Sequence, residues 1–270
     1  MKKISILGCG WLGLPLAKSF IEKGFSVKGS TTSMEKISIL ENVGISPFQI
    51  CLFEDNIIGE VTSFLENSEI LILDIPPKLR GDVKENFVAK IKTLIPFIEK
   101  SSVEKVLFVS STSVYADDNV TITENTKPNP ETESGKQLLE AEQLLQKNKN
   151  FQTTIVRFGG LIGEDRHPIK FLAGRKNIEN PNAPINLIHQ KDCIGIIIAI
   201  IIRNCWNEVF NAVAPFHPTR KEYYTKKAIE LKLPISYFNE ENRSNGKLIS
   251  SEKVTAILEY EFVSNITTIL

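Results

Sequence analysis

Lys3 to Gly13 holds the residues with the clearest chemical purpose: an apolar strand with Ile4, Ile6 and Leu7 runs into Gly8-Cys9-Gly10-Trp11-Leu12-Gly13 and then into a helix. In a G-x-G-x-x-G turn of this kind the first glycine makes the tight corner and the second lets backbone approach a pyrophosphate. The third lets helix and strand pack closely. The helix start adds unpaired N–H groups and the positive end of its dipole. Three glycines alone mean little, but here a strand precedes them and an amphipathic helix follows, its apolar face carrying Leu12, Leu16, Phe20 and Ile21. That context predicts a dinucleotide site built from Gly8, Gly10, Trp11, Leu12 and Gly13.

The end of the second strand bears on which dinucleotide. Phe25 to Lys28 leads into Gly29-Ser30-Thr31-Thr32, and no acid appears before Glu35. An NAD site of this type places Asp or Glu about twenty residues past the glycines to hold the ribose 2′-hydroxyl, whereas small polar and basic groups there accept a 2′-phosphate. Ser30, Thr31, Thr32 and Lys36 therefore favour NADP(H) over NAD(H). The same residues would also suit a polar turn with a helix cap at Thr32 or Ser33.

Strands and helices alternate after this turn. Ser46 to Leu52 reads as a third strand, Gly59 to Asn67 as a short helix, and Glu69 to Asp74 as a fourth, continuously apolar strand closed by Ile75-Pro76-Pro77. In a doubly wound sheet ligands lie beyond the strands' carboxyl ends, so Ile75, Pro76 and Pro77 are expected to line the cofactor. Val83 to Lys100 reads as a helix that Pro96 should kink or shorten. Lys105 to Val109 is a fifth strand, 116 to 133 a polar surface loop, Glu133 to Lys147 a helix, and Thr153 to Arg157 a sixth strand. This pattern predicts an α/β fold: a Rossmann-type, doubly wound parallel sheet with a smaller C-terminal substrate-binding region. The expected division is a dinucleotide-binding domain over 1–158 and a substrate-binding region over 159–270, with 185–204 returning to the first.

Beyond the sixth strand, Arg166, Lys170 and Arg175 form a basic stretch suited to a phosphorylated or nucleotide-linked substrate. Ile185 to Ile188 reads as a short strand, Asp192 as the cap of the isoleucine-rich helix after it, Val209 to Ala212 as another strand, and Arg220 to Leu231 and Ser250 to Glu259 as helices. Tyr223-x-x-x-Lys227 reads as ordinary helix surface. The proton-carrier candidates are Tyr115 and His167, the latter because an imidazole titrates near neutral pH.

Composition sets outer bounds on the chain of 270 residues. Lys and Arg together number 32, as do Asp and Glu, so no basic field argues for nucleic acid or an anionic membrane. Cysteines at 9, 51, 193 and 205 form no metal-ligand spacing and no disulfide framework. The apolar run before Cys9 is too short for a signal peptide, and Ile194 to Ile202 is too short to cross a bilayer. A cytoplasmic protein with a small-molecule substrate is expected, with a homodimer allowed and no metal.

Ser110-Ser111-Thr112-Ser113-Val114-Tyr115, Ile188-His189-Gln190-Lys191-Asp192 and Arg157 through Gly163 match stretches of one family in order. Through them nearly the whole chain resembles the short-chain dehydrogenase/reductase superfamily in its extended, NAD-dependent epimerase/dehydratase-like branch. The resemblance implies that Ser111 takes the place of the catalytic serine, with Tyr115 at a position that is mostly structural. It also exposes a departure. Where that family carries Tyr-x-x-x-Lys on the helix after the serine strand, this chain has Ser134 and Leu138. The glycine loop, too, replaces the branch's usual G-x-x-G-x-x-G. Both departures resemble the atypical bacterial YeeZ-type members. The implied activity is that of an NADP-dependent oxidoreductase or epimerase acting on a nucleotide-sugar or similar polyol or carbonyl. The alternative is an NADP(H)-binding redox sensor without turnover.

Overall fold

β-branched and leucine-rich runs too apolar for a half-exposed strand become the middle of a sheet covered on both faces. The computed structural model describes residues 2–77, 79, 85–241 and 245–264. In chain order the elements are β1 (Lys3–Leu7), α1 (Gly13–Glu22), β2 (Ser26–Thr31), α2 (Ile37–Glu41), β3 (Ser46–Gln49), β4 (Cys51–Leu52), β5 (Ile57–Ile58), α3 (Val61–Leu65), β6 (Ile70–Leu73), α4 (Phe87–Glu99), β7 (Lys105–Ser111), β8 (Thr121–Ile122), α5 (Glu133–Lys147), β9 (Gln152–Phe158), β10 (Gly160–Ile162), α6 (Ile169–Leu172), β11 (Leu187–His189), α7 (Gln190–Ile202), β12 (Val209–Ala212), α8 (Arg220–Glu230), β13 (Leu248–Ile249) and α9 (Glu252–Leu258).

Seven strands form one parallel sheet in the order β12-β9-β7-β6-β1-β2-β3. The order reverses between β1 and β6, which is where a doubly wound sheet opens its ligand crevice. Side chains alternate across the sheet as the period of a strand requires. Ile4 and Ile6 join α1, α7 and α9 on one face, while Leu7 joins α3, α4 and α5 on the other. A third apolar cluster, with Ile162, Ile169, Tyr223 and Tyr224, lies among β10, β11, α6 and α8. Residues beyond 158 thus divide: β12, α7 and α9 complete the main sheet's layers, and the segments around α6 and α8 build the third cluster.

Several local expectations change. The stretch 46–52 splits, because the Ile50 N–H bonds the Thr31 carbonyl at 3.0 Å and the chain then pairs Cys51–Leu52 antiparallel with Ile57–Ile58. Pro96 does not shorten α4, which runs on to Glu99. Its missing N–H falls in the last turn, where little of the helix remains to be lost. The start expected at Val83 lies outside the described residues, and the observed cap is Asn86, whose side chain accepts the Ala89 N–H. The loop 116–133 contains β8, paired with β13. The cap of α7 is His189, accepting the Lys191 N–H, and not Asp192. Asp192 is instead fully buried and binds Tyr260 Oη and the N–H groups of Val263 and Ser264, which fastens the 260–264 segment to α7. Among the described residues no helix is long and apolar enough to cross a membrane.

Candidate functional site: a glycine turn at the sheet's switch point

The turn after β1 is held in shape by backbone contacts that leave no room for side chains. Gly8 has φ +108°, and a Cβ there would stand 2.2 Å from the Asp74 carbonyl oxygen. One on Gly13 would stand 2.1 Å from the Gly8 oxygen, whereas one on Gly10 would meet nothing within 4 Å. Two of the glycines therefore serve close packing, and Gly10 faces open space. Ser30 braces the turn from β2: its Oγ accepts the Gly8 N–H at 2.9 Å and its carbonyl accepts the Cys9 N–H at 2.7 Å. Burial and the nearby Asp74 charge, against the weaker opposing pull of the bond at Ser30, push the Cys9 thiol up to about 12, so it stays a neutral packing group.

A cavity of about 200 Å³ opens beside this turn. Gly8 and Gly10 form its floor, Ser30, Thr31, Thr32 and Lys36 one wall, and Asp74, Ile75 and Pro76 another. Leu7, Cys9, Ile50, Leu52, Phe87 and Lys90 complete the lining. The structure thus brings Gly8, Gly10, the 30–32 stretch, Lys36, Ile75 and Pro76 to one place. Trp11, Leu12, Gly13 and Pro77 stand outside that wall. Leu12 is a core side chain, so what it and Gly13 can offer a ligand is backbone. No Asp or Glu of β2 or of the turn after it lines the cavity among the described residues. Ser33 stands before the 3₁₀ turn Met34–Lys36 without capping it; Thr31 Oγ1 instead accepts the Ser33 N–H at 3.2 Å. The floor is open where Gly10 faces it, and hydroxyls and an exposed lysine rim it. These residues fit a dinucleotide.

Trp11 looks the other way. Its indole N–H donates to Asp165 Oδ1 at 2.8 Å, the Arg166 guanidinium lies 4.9 Å from its ring centroid, and Gln190 Nε2 donates to its carbonyl at 2.6 Å. The hydrogen bond from Trp11 holds the Asp165 carboxyl below its usual range. Lys170 Nζ reaches the Asp165 carbonyl at 3.0 Å, so Arg166 and Lys170 share the loop over the glycine turn. Arg175 is exposed on a segment tied to Tyr237 instead.

His167 continues the same loop but turns inward. Its Nδ1 accepts the Ile169 N–H at 3.1 Å, which leaves the proton on Nε2, 2.8 Å from Tyr223 Oη. Burial, with Lys227 and Lys170 adding to it, lowers its pKa to about 4, so the ring is neutral at pH 7. Tyr223 and Lys227 are buried rather than on the helix surface that their spacing suggests. α8 packs against α6 in the third cluster, and Lys227 Nζ pairs with Glu230 at 2.7 Å. Burial pushes the Tyr223 phenol well up, away from acid–base duty near neutrality.

The serine stretch closes β7. Ser111 Oγ accepts the Ser113 N–H at 3.1 Å, capping the single turn Thr112–Val114, and the side chain remains half-buried. Tyr115 is 2 % exposed, with its Oη accepting from Arg157 Nη1 at 2.6 Å and donating to Asn211 Oδ1 at 3.0 Å. Burial raises its pKa despite Arg157. Both its proton and an acceptor site are engaged inside the protein. Arg157 in turn grips Glu142 of α5 through Nε and Nη2, the latter at 2.5 Å from Oε2, and Ser110 Oγ donates to Glu142 Oε1 at 2.5 Å.

No family model matches the chain. Against known proteins it is 31% identical to the protein YeeZ of Escherichia coli (strain K12) over 264 residues, which is 97% of this chain and 96% of that one. The chain belongs to the YeeZ family. Its fold is that of the epimerase and short-chain dehydrogenase/reductase proteins: it superposes on the UDP-glucuronic acid 4-epimerase of Bacillus cereus in complex with NAD with a TM-score of 0.82 at 15% identity, covering 98% of this chain and 93% of that one. A short-chain dehydrogenase/reductase superfamily protein of Agrobacterium tumefaciens with bound NAD gives a TM-score of 0.78 at 15% identity, over 98% and 93%.

In this YeeZ-family chain α5 meets the serine stretch directly. A Cβ on Gly135 would stand 2.2 Å from the Ser113 carbonyl oxygen, so the helix crosses in contact with residues 111–114. Ser134, next to that contact, is half-buried, and Leu138, one turn on, is core. The helix is close to Ser111, but positions 134 and 138 bring neither a phenol nor an amine. Asp74, Ile50, Leu52, Phe87 and Lys90 are cavity residues that sequence reasoning passed over. Only Asp74 carried a usable signal, as the one charged residue ending an apolar strand at the switch point.

Proposed function

We propose that this chain holds a nicotinamide dinucleotide in the cavity beside β1 and β2, takes NADP(H) in preference to NAD(H), and acts with it as an oxidoreductase or epimerase. The substrate class is a nucleotide-sugar or a similar small polyol or carbonyl compound. One observation carries the reading: the glycine turn and Thr31, Thr32 and Lys36 share one cavity into which β2 sends no carboxylate. A ribose 2′-phosphate needs donors and positive charge there, and a 2′-hydroxyl needs the acid that is missing. The NAD-bound neighbours of this fold support the dinucleotide itself. A bound nicotinamide would supply hydride chemistry. The chain would add Ser111 as the hydrogen-bonding anchor for a substrate carbonyl or hydroxyl, and Arg166 and Lys170 as phosphate-binding groups over the glycine turn. Residues 1–158 would carry the cofactor, with the segments around α6 and α8 beside the substrate.

A second reading has an observation of its own. Ser134 and Leu138 stand where the family's proton device would be, and both Tyr115 and His167 have their polar atoms bonded within the protein. Lacking a positioned proton carrier costs about 10²–10⁴-fold in rate, which favours a dinucleotide-binding redox sensor.

Side-by-side fluorescence titrations with NADPH and NADH, repeated with a panel of nucleotide-sugars and small carbonyls, test both. Tighter NADPH binding is expected, and tighter NADH binding would overturn the cofactor preference. Binding without oxidation of NADPH by any compound favours the sensor. Lys36→Ala should weaken NADPH about tenfold and leave NADH unchanged, as loss of one charge-assisted hydrogen bond implies.

A further inference from the structure

Where β6 ends, a carboxylate sits inside the glycine cradle. The Asp74 N–H donates to the Leu7 carbonyl at 2.9 Å, which ties it to the end of β1. Its Oδ2 lies 3.1 Å from where a Cβ on Gly13 would be, so the carboxyl stands beside the first residue of α1. It thus stands close to the free amides at the start of α1, the kind of donor that an anion uses at a helix N-terminus. It also lines the same cavity as Gly8 and Gly10.

The groups facing it do little to neutralise it. The glycine turn offers the Cys9 thiol and α7 the Cys193 thiol, both raised by burial and neutral. α4 offers Lys90, already paired with Glu85 at 2.5 Å, and the 3₁₀ turn offers Lys36 on the far wall. Among the described residues Asp74 has no ion-pair partner.

We propose that Asp74 is a proton-linked gate on this cleft: its carboxyl must be protonated for a dinucleotide diphosphate to be held at the turn, so that binding takes up a proton. The inference rests on the dinucleotide reading above. A carboxylate and a diphosphate repel one another at one turn, and the protonated carboxyl could in addition donate to a phosphate oxygen. Burial, against the opposing pull of the Gly13 N–H, holds this carboxyl up at about 7, so the gate would work within the physiological range.

Isothermal titration of the whole protein with NADH and with NADPH, between pH 5.5 and 9, tests this. NADH lacks the 2′-phosphate, whose own ionisation near pH 6 would otherwise overlap. Affinity should be flat below about pH 6.5 and fall about tenfold per pH unit above 7, with about one proton taken up per NADH bound at pH 8, read from buffers of different ionisation enthalpy. Asp74→Asn should abolish both effects and keep its pH 6 affinity at pH 9. Binding with a flat pH profile and no proton uptake by the parent protein would overturn the gate, as would an Asp74→Asn protein that keeps the slope. If Asp74→Asn does not fold, proton uptake by the parent decides alone. Absence of binding by either dinucleotide at every pH would sink the underlying reading, a distinct result.

A second readout needs no ligand. The folded-state pKa of Asp74 lies above its unfolded value, so its stabilising contribution is complete below about pH 4 and is lost as pH rises through 7. Asp74→Asn should therefore melt above the parent at pH 8, the difference closing toward pH 4; a variant melting no higher than the parent at pH 8 counts against a charge that folding disfavours.

Discussion

Glu142→Ala should melt about 6 to 20 °C below the parent protein. Arg157 is 5 % exposed and Glu142 is fully buried, and their pairing is made through Nε and Nη2 together. Burial would lower the pKa of Arg157, but the hydrogen bonds and charge of Glu142, with those of Tyr115, more than reverse this and raise it. Removing the carboxylate therefore leaves a buried guanidinium with its charge in place, and takes the acceptor from Ser110 Oγ as well. Breaking one side of a buried pair costs about 3–5 kcal/mol, and in a chain of this size each kcal/mol is worth about 2–4 °C. Replacing both partners, as in Glu142→Met with Arg157→Leu, should cost less than Glu142→Ala alone. The measurement is thermal unfolding of the three proteins. A double variant less stable than the single one would show that packing, not charge, dominates here.

Gly8→Ala should lose stability and dinucleotide binding together. The residue has φ +108°, a backbone region costing about 1–3 kcal/mol for a residue with a side chain, and its new methyl would press on the backbone oxygen of Asp74 at 2.2 Å. Backbone cannot swing aside as a side chain can, so an overpacking cost of about 1–3 kcal/mol adds to the strain. Gly24→Ala is the control. It shares a positive φ, +83°, but its Cβ would meet nothing within 4 Å, so it should show the strain alone and leave the turn intact. Equal losses of melting temperature in the two variants would mean that the Asp74 contact contributes nothing.

What could be read from the chain beforehand was whatever is local. The glycine turn, the helix at 133–147 and the strand at 209–212 were legible because spacing and periodicity within one stretch specify them. Contacts across the sheet were not. Asp74 ends an apolar run and reads as punctuation; it enters the cradle only because β6 lies beside β1, far away in sequence. Lys90 reads as one polar position in an apolar helix stripe, yet it is 9 % exposed and lines the cavity. Tyr223 and Lys227 sit in a helix whose sequence is polar overall, so only the packing of α6 and the His167 loop reveals that they are buried. The cap of α7 misled for a related reason: Asp192 is a good capping residue by type, but the segment at 260–264 claims it.

If the turn from Gly8 to Gly13 grips the diphosphate of a nicotinamide dinucleotide, Gly10→Glu should abolish that grip without unfolding the protein. A side chain at Gly10 would enter open space, so the variant should melt with the parent. Its carboxylate would then stand in the cleft against a like charge, a juxtaposition worth several kcal/mol and so a loss of at least about 100-fold in affinity. Titration of both proteins with NADPH should give saturable binding by the parent and none of comparable strength by the variant. A Gly10→Glu protein that binds NADPH as tightly as the parent would contradict the assignment of the cradle.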